Sequence, residues 1–374
     1  MQKVLIFSLA YFPFVGGAEV AIKEITDRLP DFEFDMITVN LDGKQKSEEK
    51  IGRVNVLRIG NGKMSKYFFP WAAARVAKKM CIEKKYDITW AMMANQAGLA
   101  GLFFKKNNPN IPFLLTLQEG DSEIDIWLRT WFIRPLYKNI YRKADCIQAI
   151  SNFLADRAKK MGAKCPVEVV PNGVGLDKFK VQSSKFKVNN EKVIITVSRL
   201  EKKNGVDVLI KSIKELRITD YELNFKLIVV GGGSMEEKLK KLAKDLGIED
   251  RIEFIGNVIP EKVNEYLVQA DIFVRPSRSE GLGNAFLEAM AMGLPVIGTP
   301  VGGISDFLYD NETGLLCTVD DPSDLAEKIT LLMQDDNLYK KLSENGRKLV
   351  MEKYQWDSIS IKMAGIFNGL VEKK

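Results

Sequence analysis

The chain alternates short apolar runs with longer amphipathic segments, and this alternation limits the folds open to it. Runs such as 3–7, 54–59 and 193–197 are rich in apolar residues, many of them β-branched. Runs of this kind are typical of strands covered on both faces, and the helical segments between them indicate parallel sheets. The same pattern predicts further strands at 34–39, 87–91, 112–117, 146–150, 226–230, 251–255, 272–274 and 295–298.

The strongest helix prediction covers Ser234–Leu246. Ser234 and Glu237 have the spacing of a capping box, an apolar stripe follows, and Gly247 supplies the stop. A second amphipathic helix, 354–370, is expected to cross back to the first half of the chain.

The chain of 374 residues is longer than one core usually spans, and the polar stretch 178–192 separates two sets of strands. The sequence therefore predicts an α/β protein of two Rossmann-like domains, 1–180 and 181–353, followed by a crossing helix within 354–374. Ligands of such sheets bind beyond the carboxyl ends of the strands, so the active site is expected in a cleft between the domains.

Composition excludes several kinds of chemistry. Histidine is absent, which excludes Ser-His-Asp hydrolysis and the common zinc sites. The four cysteines form no CxxC pair, and the net charge of +6 comes without a nucleic-acid-binding motif. No apolar span of membrane length occurs, and no cleavage pattern follows the apolar N-terminal run, so a cytoplasmic protein is expected.

The segment 270–314 carries the densest set of candidate ligand-binding residues. A strand leads into a loop with Glu280 and Gly283, and a helix is expected to begin near Asn284. Glycines allow close backbone approach, and a helix start offers N–H groups with a positive dipole end, so the segment suits a diphosphate. Glu288, one turn inside the helix, would face another part of the same ligand. The alternative is an ordinary strand–turn–helix with solvated glutamates, which the further glycines of PVIGTPVGG make less attractive.

This segment resembles the donor-binding signature of the retaining glycosyltransferase family 4, whose fold is the two-domain GT-B arrangement. The family's two glutamates are separated by seven residues, as Glu280 and Glu288 are here. Matching segments occur at 12–19, 151–162, 169–179, 197–210, 227–247 and 254–258. The resemblance implies an acceptor domain, then a donor domain, and transfer from a UDP- or GDP-sugar to a glycan or lipid-linked acceptor in cell-envelope polysaccharide or glycolipid synthesis.

The resemblance also implies roles for individual residues. Glu288 would hold the donor ribose, Glu280 would lie near the sugar hydroxyls, and Arg199 and Lys203 would neutralise the diphosphate. The implied donor contacts are completed by Gly16, Gly17, Gly232, Val258, Gly283, Asn284, Ala285 and Phe286.

Two departures from the family pattern stand out. The family's basic pair usually ends in Lys-Gly, whereas here Asn204 precedes Gly205 and Lys203 comes one place early. Many members carry Thr-x-His-Gly where this chain has TLQEGD at 116–121. Gln118, Glu119 and Asp121 are the candidates to replace that histidine at an acceptor or sugar contact, unless they are merely solvated polar groups of a strand-end loop.

No Asp-x-Asp motif occurs, so a metal-independent reaction without a cofactor is expected, with positive side chains and a helix start meeting the diphosphate charge. A front-face displacement is the favoured hypothesis for retention. The basic and aromatic segment 127–143 predicts either an amphipathic helix on an anionic membrane or a core helix with snorkelling cations, with 67–85 as a weaker case. A nucleotide-sugar epimerase or phosphorylase and a non-catalytic nucleotide-sugar-binding protein remain as alternatives.

Overall fold

A computed structural model describes residues 1–175, 191–216 and 224–372. The chain divides into two compact units, Met1–Asn172 with Trp356–Lys374, and Gly173–Gln355. The predicted boundary at 180/181 and most of the polar stretch 178–192 lie outside the described residues.

Unit 1 is built on an eight-stranded sheet in the order β3-β4-β2-β1-β5-β6-β7-β8. Its neighbouring strands are parallel except for the antiparallel pair β3–β4. The strands are β1 Gln2–Phe7, β2 Phe32–Val39, β3 Glu48–Ile51, β4 Val54–Ile59, β5 Ile88–Met92, β6 Phe113–Leu117, β7 Cys146–Ala149 and β8 Val167–Val169. The helices are α1 Gly17–Asp27, α2 Ser65–Glu83, α3 Gln96–Asn107, α4 Glu123–Thr130, α5 Arg134–Lys143, α6 Asn152–Lys160 and, at the end of the chain, α13 Trp356–Glu372.

Unit 2 has a six-stranded, wholly parallel sheet in the order β11-β10-β9-β12-β13-β14. Its strands are β9 Lys192–Val197, β10 Phe225–Val230, β11 Ile252–Gly256, β12 Ile272–Arg275, β13 Val296–Gly298 and β14 Leu315–Leu316. Its helices are α7 Val206–Leu216, α8 Glu236–Asp245, α9 Val263–Leu267, α10 Asn284–Ala291, α11 Pro322–Gln334 and α12 Asp336–Lys353. The prediction of two parallel-sheet α/β domains is confirmed.

Every predicted strand is present to within two residues, because each coincides with a run rich in apolar residues. The strands that were not predicted have weaker patterns. β3 is a polar edge strand, β8 is the short and largely exposed Val-Glu-Val, and β14 has only two residues.

The capping box predicted for α8 is wrong. The helix begins at Glu236, and the Ser234 hydroxyl donates to the Glu201 carboxylate at 2.6 Å, while the Ser234 N–H donates to the same group at 3.1 Å. A carboxylate from another loop thus takes the bonds that Glu237 was expected to share. The C-terminal end agrees with the prediction, since Gly247 follows with a φ of +63°.

Helix α13 joins the core of unit 1, which confirms that the end of the chain crosses back to the first domain. The side chain of Phe367 lies against Phe32, Phe34 and Trp90, with ring centroids 5.4, 6.3 and 5.4 Å away.

The segment 127–143 does not form the single helix that was predicted. Helix α4 ends at Thr130, a 3₁₀ turn covers Trp131–Ile133, and α5 begins at Arg134. Pro135 explains the break, because proline has no N–H to donate and its ring clashes with the carbonyl four residues earlier. Among the helices of the described ranges, none is both long and apolar enough to cross a membrane.

Candidate functional site

The carboxyl ends of β9, β12 and β13 meet at one edge of unit 2. Parallel pairing aligns Phe273 with Ile195 on one side and with Val296 on the other. The loops that follow these strands therefore emerge together, and they carry the predicted residues Arg199, Lys203 and Glu280. This edge is where a parallel α/β sheet binds its ligands.

The start of α10 has the geometry that the glycine pattern predicted. Gly283 precedes the helix with a φ of +97°, a conformation that favours glycine. Asn284 and Ala285 occupy the first two helical positions, where N–H groups point along the axis. The N–H of Phe286 instead donates to the Gly283 carbonyl at 2.9 Å, and its ring is buried. Phe286 therefore anchors the helix start within the core.

Glu280 is held in place by its own loop and by the loop after β13. One carboxylate oxygen forms an ion pair with Arg275, and the other accepts the Gly281 N–H at 3.0 Å. The Glu280 carbonyl accepts the Gly303 N–H at 3.1 Å. A Cβ at Gly302 would lie 1.9 Å from that carbonyl oxygen, so glycine is required for this close approach.

Lys203 is tied through its backbone to the loop that carries Glu280. It lies half-buried in the 3₁₀ turn Lys202–Asn204, and its carbonyl accepts the Arg278 N–H at 2.7 Å. Arg199 lies exposed at the start of the same loop. Glu288 is half-buried in the second turn of α10.

The turn at 231–233 packs closely on the loop after β9. Gly231 has a φ of +128°, and a Cβ there would lie 1.9 Å from the Ser198 carbonyl oxygen. Gly232 is buried, with the Asn257 amide 2.6 Å from where its Cβ would be. Val258 comes next in the chain and is half-buried, so the structure brings Gly232 and Val258 to the same side of unit 2.

Two residues of this edge were not predicted from the sequence, Arg275 and Asn204. Arg275 is the last residue of β12, is 8% exposed, and pairs with Glu280. Asn204 is buried directly before Gly205. A cation at the end of an otherwise apolar strand was the available signal, but the predicted strand stopped at Val274.

In unit 1, Gly16 and Gly17 lie exposed at the start of α1. The Gly16 N–H donates to the Glu19 carboxylate at 2.7 Å, which caps the helix. The preceding loop is held by buried Arg58, whose guanidinium donates to the Phe12 carbonyl at 2.6 Å.

The TLQEGD loop follows β6, and its three candidate residues have different surroundings. The amides of Gln118 and Asn172 bond each other reciprocally, at 3.2 and 3.1 Å. The Glu119 carboxylate accepts the backbone N–H groups of Ala94 and Gln118. The Asp121 carboxylate pairs with Arg129 at the surface.

Glu119 is thus a structural link between the loops after β5 and β6. Burial raises its pKa above the ordinary value of 4.5. Arg157, itself buried, donates to the carbonyls of Glu119 at 3.1 Å and Asp121 at 2.7 Å, which fixes the loop backbone. Within the described ranges, no three Asp, Glu or Cys side chains are grouped so as to hold a metal ion.

Comparison with known proteins covers both units. The family described as Glycosyl transferases group 1 matches residues 177–349, and the family described as Glycosyltransferase Family 4 matches residues 15–178. The chain is 28% identical over 372 residues to an uncharacterized glycosyltransferase of Methanocaldococcus jannaschii, covering 99% of each chain.

Two further similarities are informative. The GDP-mannose-dependent alpha-(1-6)-phosphatidylinositol monomannoside mannosyltransferase of Mycobacterium tuberculosis is 28% identical over 258 residues, which are 64% of this chain and 66% of that protein. The structure of sucrose-phosphate synthase from Thermosynechococcus elongatus superposes with a TM-score of 0.86 at 21% identity, covering 100% of each chain. At that identity the superposition establishes the fold alone.

Proposed function

Because the chain belongs to the family 4 glycosyltransferases and uses a nucleotide-sugar donor, we propose that it transfers a hexose with retention of configuration to a glycan or lipid-linked acceptor of the cell envelope. The observation that carries the proposal is the edge of unit 2. There, Arg199, Lys203, Glu280 and the start of α10 lie on loops that follow adjacent strands.

The donor would bind along this edge. The first N–H groups of α10, at Asn284 and Ala285, and the cations Arg199 and Lys203 would meet the diphosphate, as anions are met at helix N-termini. Glu288 would accept hydrogen bonds from the ribose hydroxyls, and Gly232 and Val258 would lie near the base.

Charge on the departing diphosphate would then be met by protein groups, which is why we propose a metal-independent reaction. Preorganised donors at a developing negative charge contribute several kcal/mol in enzymes. In a front-face displacement the acceptor hydroxyl forms its bond to the anomeric carbon as the diphosphate leaves the same face. The departing phosphate oxygen takes the hydroxyl proton.

The surroundings of Glu280 support this step over a covalent intermediate. Its carboxylate is engaged by the Arg275 guanidinium and by the Gly281 N–H. A carboxylate so engaged is a weak nucleophile and a good acceptor for sugar hydroxyls, so Glu280 would orient the transferred sugar.

Gln118 is the proposed replacement for the family histidine in unit 1. Glu119 and Asp121 direct their carboxylates to other protein groups, whereas the Gln118 amide is held from one side by Asn172. An amide with a fixed orientation can both donate to and accept from a sugar or acceptor hydroxyl. Gln118→Ala should therefore lower transfer while nucleotide binding stays unchanged.

Membrane attachment is proposed through the segment 123–134. Five of its apolar side chains are half or more exposed, whereas Ile126 is buried and α5 buries Tyr137, Ile140 and Tyr141 in the core of unit 1. The exposed members are Ile124, Trp127, Leu128, Trp131 and Phe132. Arg129 and Arg134 lie among them together with Glu123 and Asp125, so the exposed apolar side chains, not a net charge, would carry the attachment. The mannosyltransferase relative, whose name specifies a phosphatidylinositol monomannoside, supports a lipid-linked acceptor.

Flotation with vesicles containing anionic lipid tests the attachment. The wild type should float, and replacing Trp131 and Phe132 by serine should abolish flotation. Ile259→Ser, at an equally exposed apolar residue of unit 2, should leave it unchanged. If the wild-type protein remains in the lower, vesicle-free fraction, the proposed membrane attachment is refuted.

A panel of UDP-, GDP- and ADP-sugars, assayed for nucleotide release with mixed glycan and lipid-linked acceptors, tests the transfer itself. Glu288→Gln and Arg199→Ala should each lower release sharply without unfolding the protein. Glu237→Gln, at an exposed carboxylate of α8, is the matched control and should release nucleotide at the wild-type rate. Full activity of either site variant would overturn the assignment. Sugar interconversion without release would indicate an epimerase, and binding without turnover a non-catalytic protein.

A further inference from the structure

Arg275 is a buried cation at the edge of unit 2 that contacts more of this edge than the Glu280 carboxylate alone. It ends β12, whose other residues are apolar, and its side chain lies over the Phe286 ring, 6.0 Å from the centroid. A charged group so buried is costly unless it is paired and hydrogen-bonded. The groups that bond the Arg275 guanidinium must therefore offset the cost of burying its charge.

The partners of Arg275 come from two different loops. Its Nη2 pairs with Glu280 and also donates to the side-chain oxygen of Asn204 at 2.8 Å, with the amide oriented as its neighbours require. Its Nε is buried, and no acceptor in the described part of the chain lies within bonding distance of it. One donor of the guanidinium is thus left for another group.

Asn204 extends this connection to the loop of Arg199. Its side-chain nitrogen donates to the Arg199 carbonyl at 2.9 Å. Gly205 follows with a φ of +70°, and a Cβ there would lie 1.8 Å from the Pro276 carbonyl oxygen. The loop therefore closes directly on the residue after Arg275, which holds the side chain of residue 204 against the end of β12.

Residue 204 is also where this chain departs from Lys-Gly. Asn204 is neutral, and the buried positive charge at this edge belongs to Arg275, at the end of the neighbouring strand β12. We propose that Arg275 is a positioning residue of the donor site, which fixes the Glu280 carboxylate and the Arg199 loop and supplies the positive charge that residue 204 lacks. This inference rests on the proposed function, because it assumes that a nucleotide sugar binds at this edge.

The proposal separates two effects that can be measured independently. Arg275→Lys keeps the positive charge but loses the planar guanidinium that bonds Glu280 and Asn204 together. The Kd of the free nucleoside diphosphate should therefore stay within about threefold of wild type while kcat falls about tenfold. Arg275→Met loses the positive charge as well as the guanidinium, so the Kd of the nucleoside diphosphate should also rise about tenfold. Calorimetry gives the Kd, and nucleotide release gives kcat and KM.

Charge relocation supplies the sharpest test. Asn204→Lys alone would place two buried cations together and would lose the amide bonds to Arg275 and to the Arg199 carbonyl, so it should weaken nucleotide binding despite the added charge. Asn204→Lys combined with Arg275→Met removes the repulsion and should recover the Kd to within about threefold of wild type. Additive losses in the double variant would overturn the proposal. So would wild-type kcat and Kd in a folded Arg275→Met protein.

Arg251→Met is the matched control. Arg251 is a guanidinium at the amino end of β11 that pairs with Asp250 and donates to the Phe225 carbonyl, so its loss should lower the melting temperature without changing Kd or kcat. If Arg275→Met does not fold, the Arg275→Lys comparison decides, and wild-type kcat in that variant overturns the proposal. If the wild type itself neither binds nor turns over any nucleotide sugar, the proposed function fails instead.

Discussion

Replacing Phe367 by alanine should destabilise unit 1 by about 3–5 kcal/mol, although the residue lies in the last helix of the chain. Its side chain is fully buried against Phe32, Phe34 and Trp90. Removing the ring leaves a cavity in a sheet-facing core and deletes three aromatic pairs, each of which contributes roughly 0.5–1.5 kcal/mol beyond its buried area. The large value follows from this combination.

The assay can separate the two units by their chromophores. All five tryptophans, at positions 71, 90, 127, 131 and 356, belong to unit 1, so tryptophan fluorescence follows its unfolding. Far-UV circular dichroism follows both units. A loss of about 3–5 kcal/mol should lower the fluorescence-detected melting temperature by roughly 6–20 °C.

Ile361→Ala is the matched control, because Ile361 is 72% exposed on the same helix. It should shift the fluorescence transition by less than about 2 °C, as most exposed substitutions do. A Phe367→Ala protein that melts with the Ile361→Ala control would refute the assignment of α13 to the core of unit 1.

Three further predictions follow from local geometry. Gly205→Ala should lower the free energy of unfolding by at least about 1–3 kcal/mol, because its φ is positive and its Cβ would also meet the Pro276 carbonyl oxygen, whereas Gly369→Ala, in a helix with nothing near its Cβ, should not. Burial raises the pKa of Glu119, so its contribution to stability is fully present below its ordinary value of 4.5 and is lost as pH rises through the folded value. The urea midpoint of wild type relative to that of Glu119→Gln should therefore fall as pH rises above 4.5, and a constant difference would contradict this. Burial raises the pKa of Cys317 to about 12, so the folded protein should show no alkylation of Cys317 by iodoacetamide at pH 8 in a mass spectrum.

The strands could be predicted because a parallel strand covered on both faces is an apolar run that can be recognised from its own residues. Phe113–Leu117 and Ile272–Val274 are nearly all apolar runs whose burial needs no knowledge of their neighbours. The strand–glycine–helix unit at Gly283 was predictable for the same reason, since its left-handed conformation is a property of one residue.

Two helix predictions were wrong, one because a distant residue formed the bonds and one because a proline interrupted an otherwise helical pattern. Ser234 was expected to bond Glu237 three residues ahead, but Glu201, from a loop 33 residues earlier, takes its hydroxyl and its N–H. In the segment 127–143 the aromatic and basic periodicity continues through Pro135. Proline nevertheless starts a new helix there, because it cannot donate the N–H that a continuous helix needs.

The network of Arg275, Asn204 and Glu280 could not be derived from spacing, because it depends on strand order. Asn204 follows β9 and Glu280 follows β12, and only the adjacency of β9 and β12 brings both loops to one guanidinium. Since a buried guanidinium without its carboxylate would be strongly destabilising, the arginine at 275 and the glutamate at 280 are constrained together. Asparagine at 204 fits the same constraint, because a lysine there would place a second cation beside a guanidinium that has one carboxylate partner in the described part of the chain. If Arg275 supplies the positive charge at this edge, the neutral residue at 204 and the cation at 275 should be replaceable only as a pair, which is the outcome expected of Asn204→Lys combined with Arg275→Met.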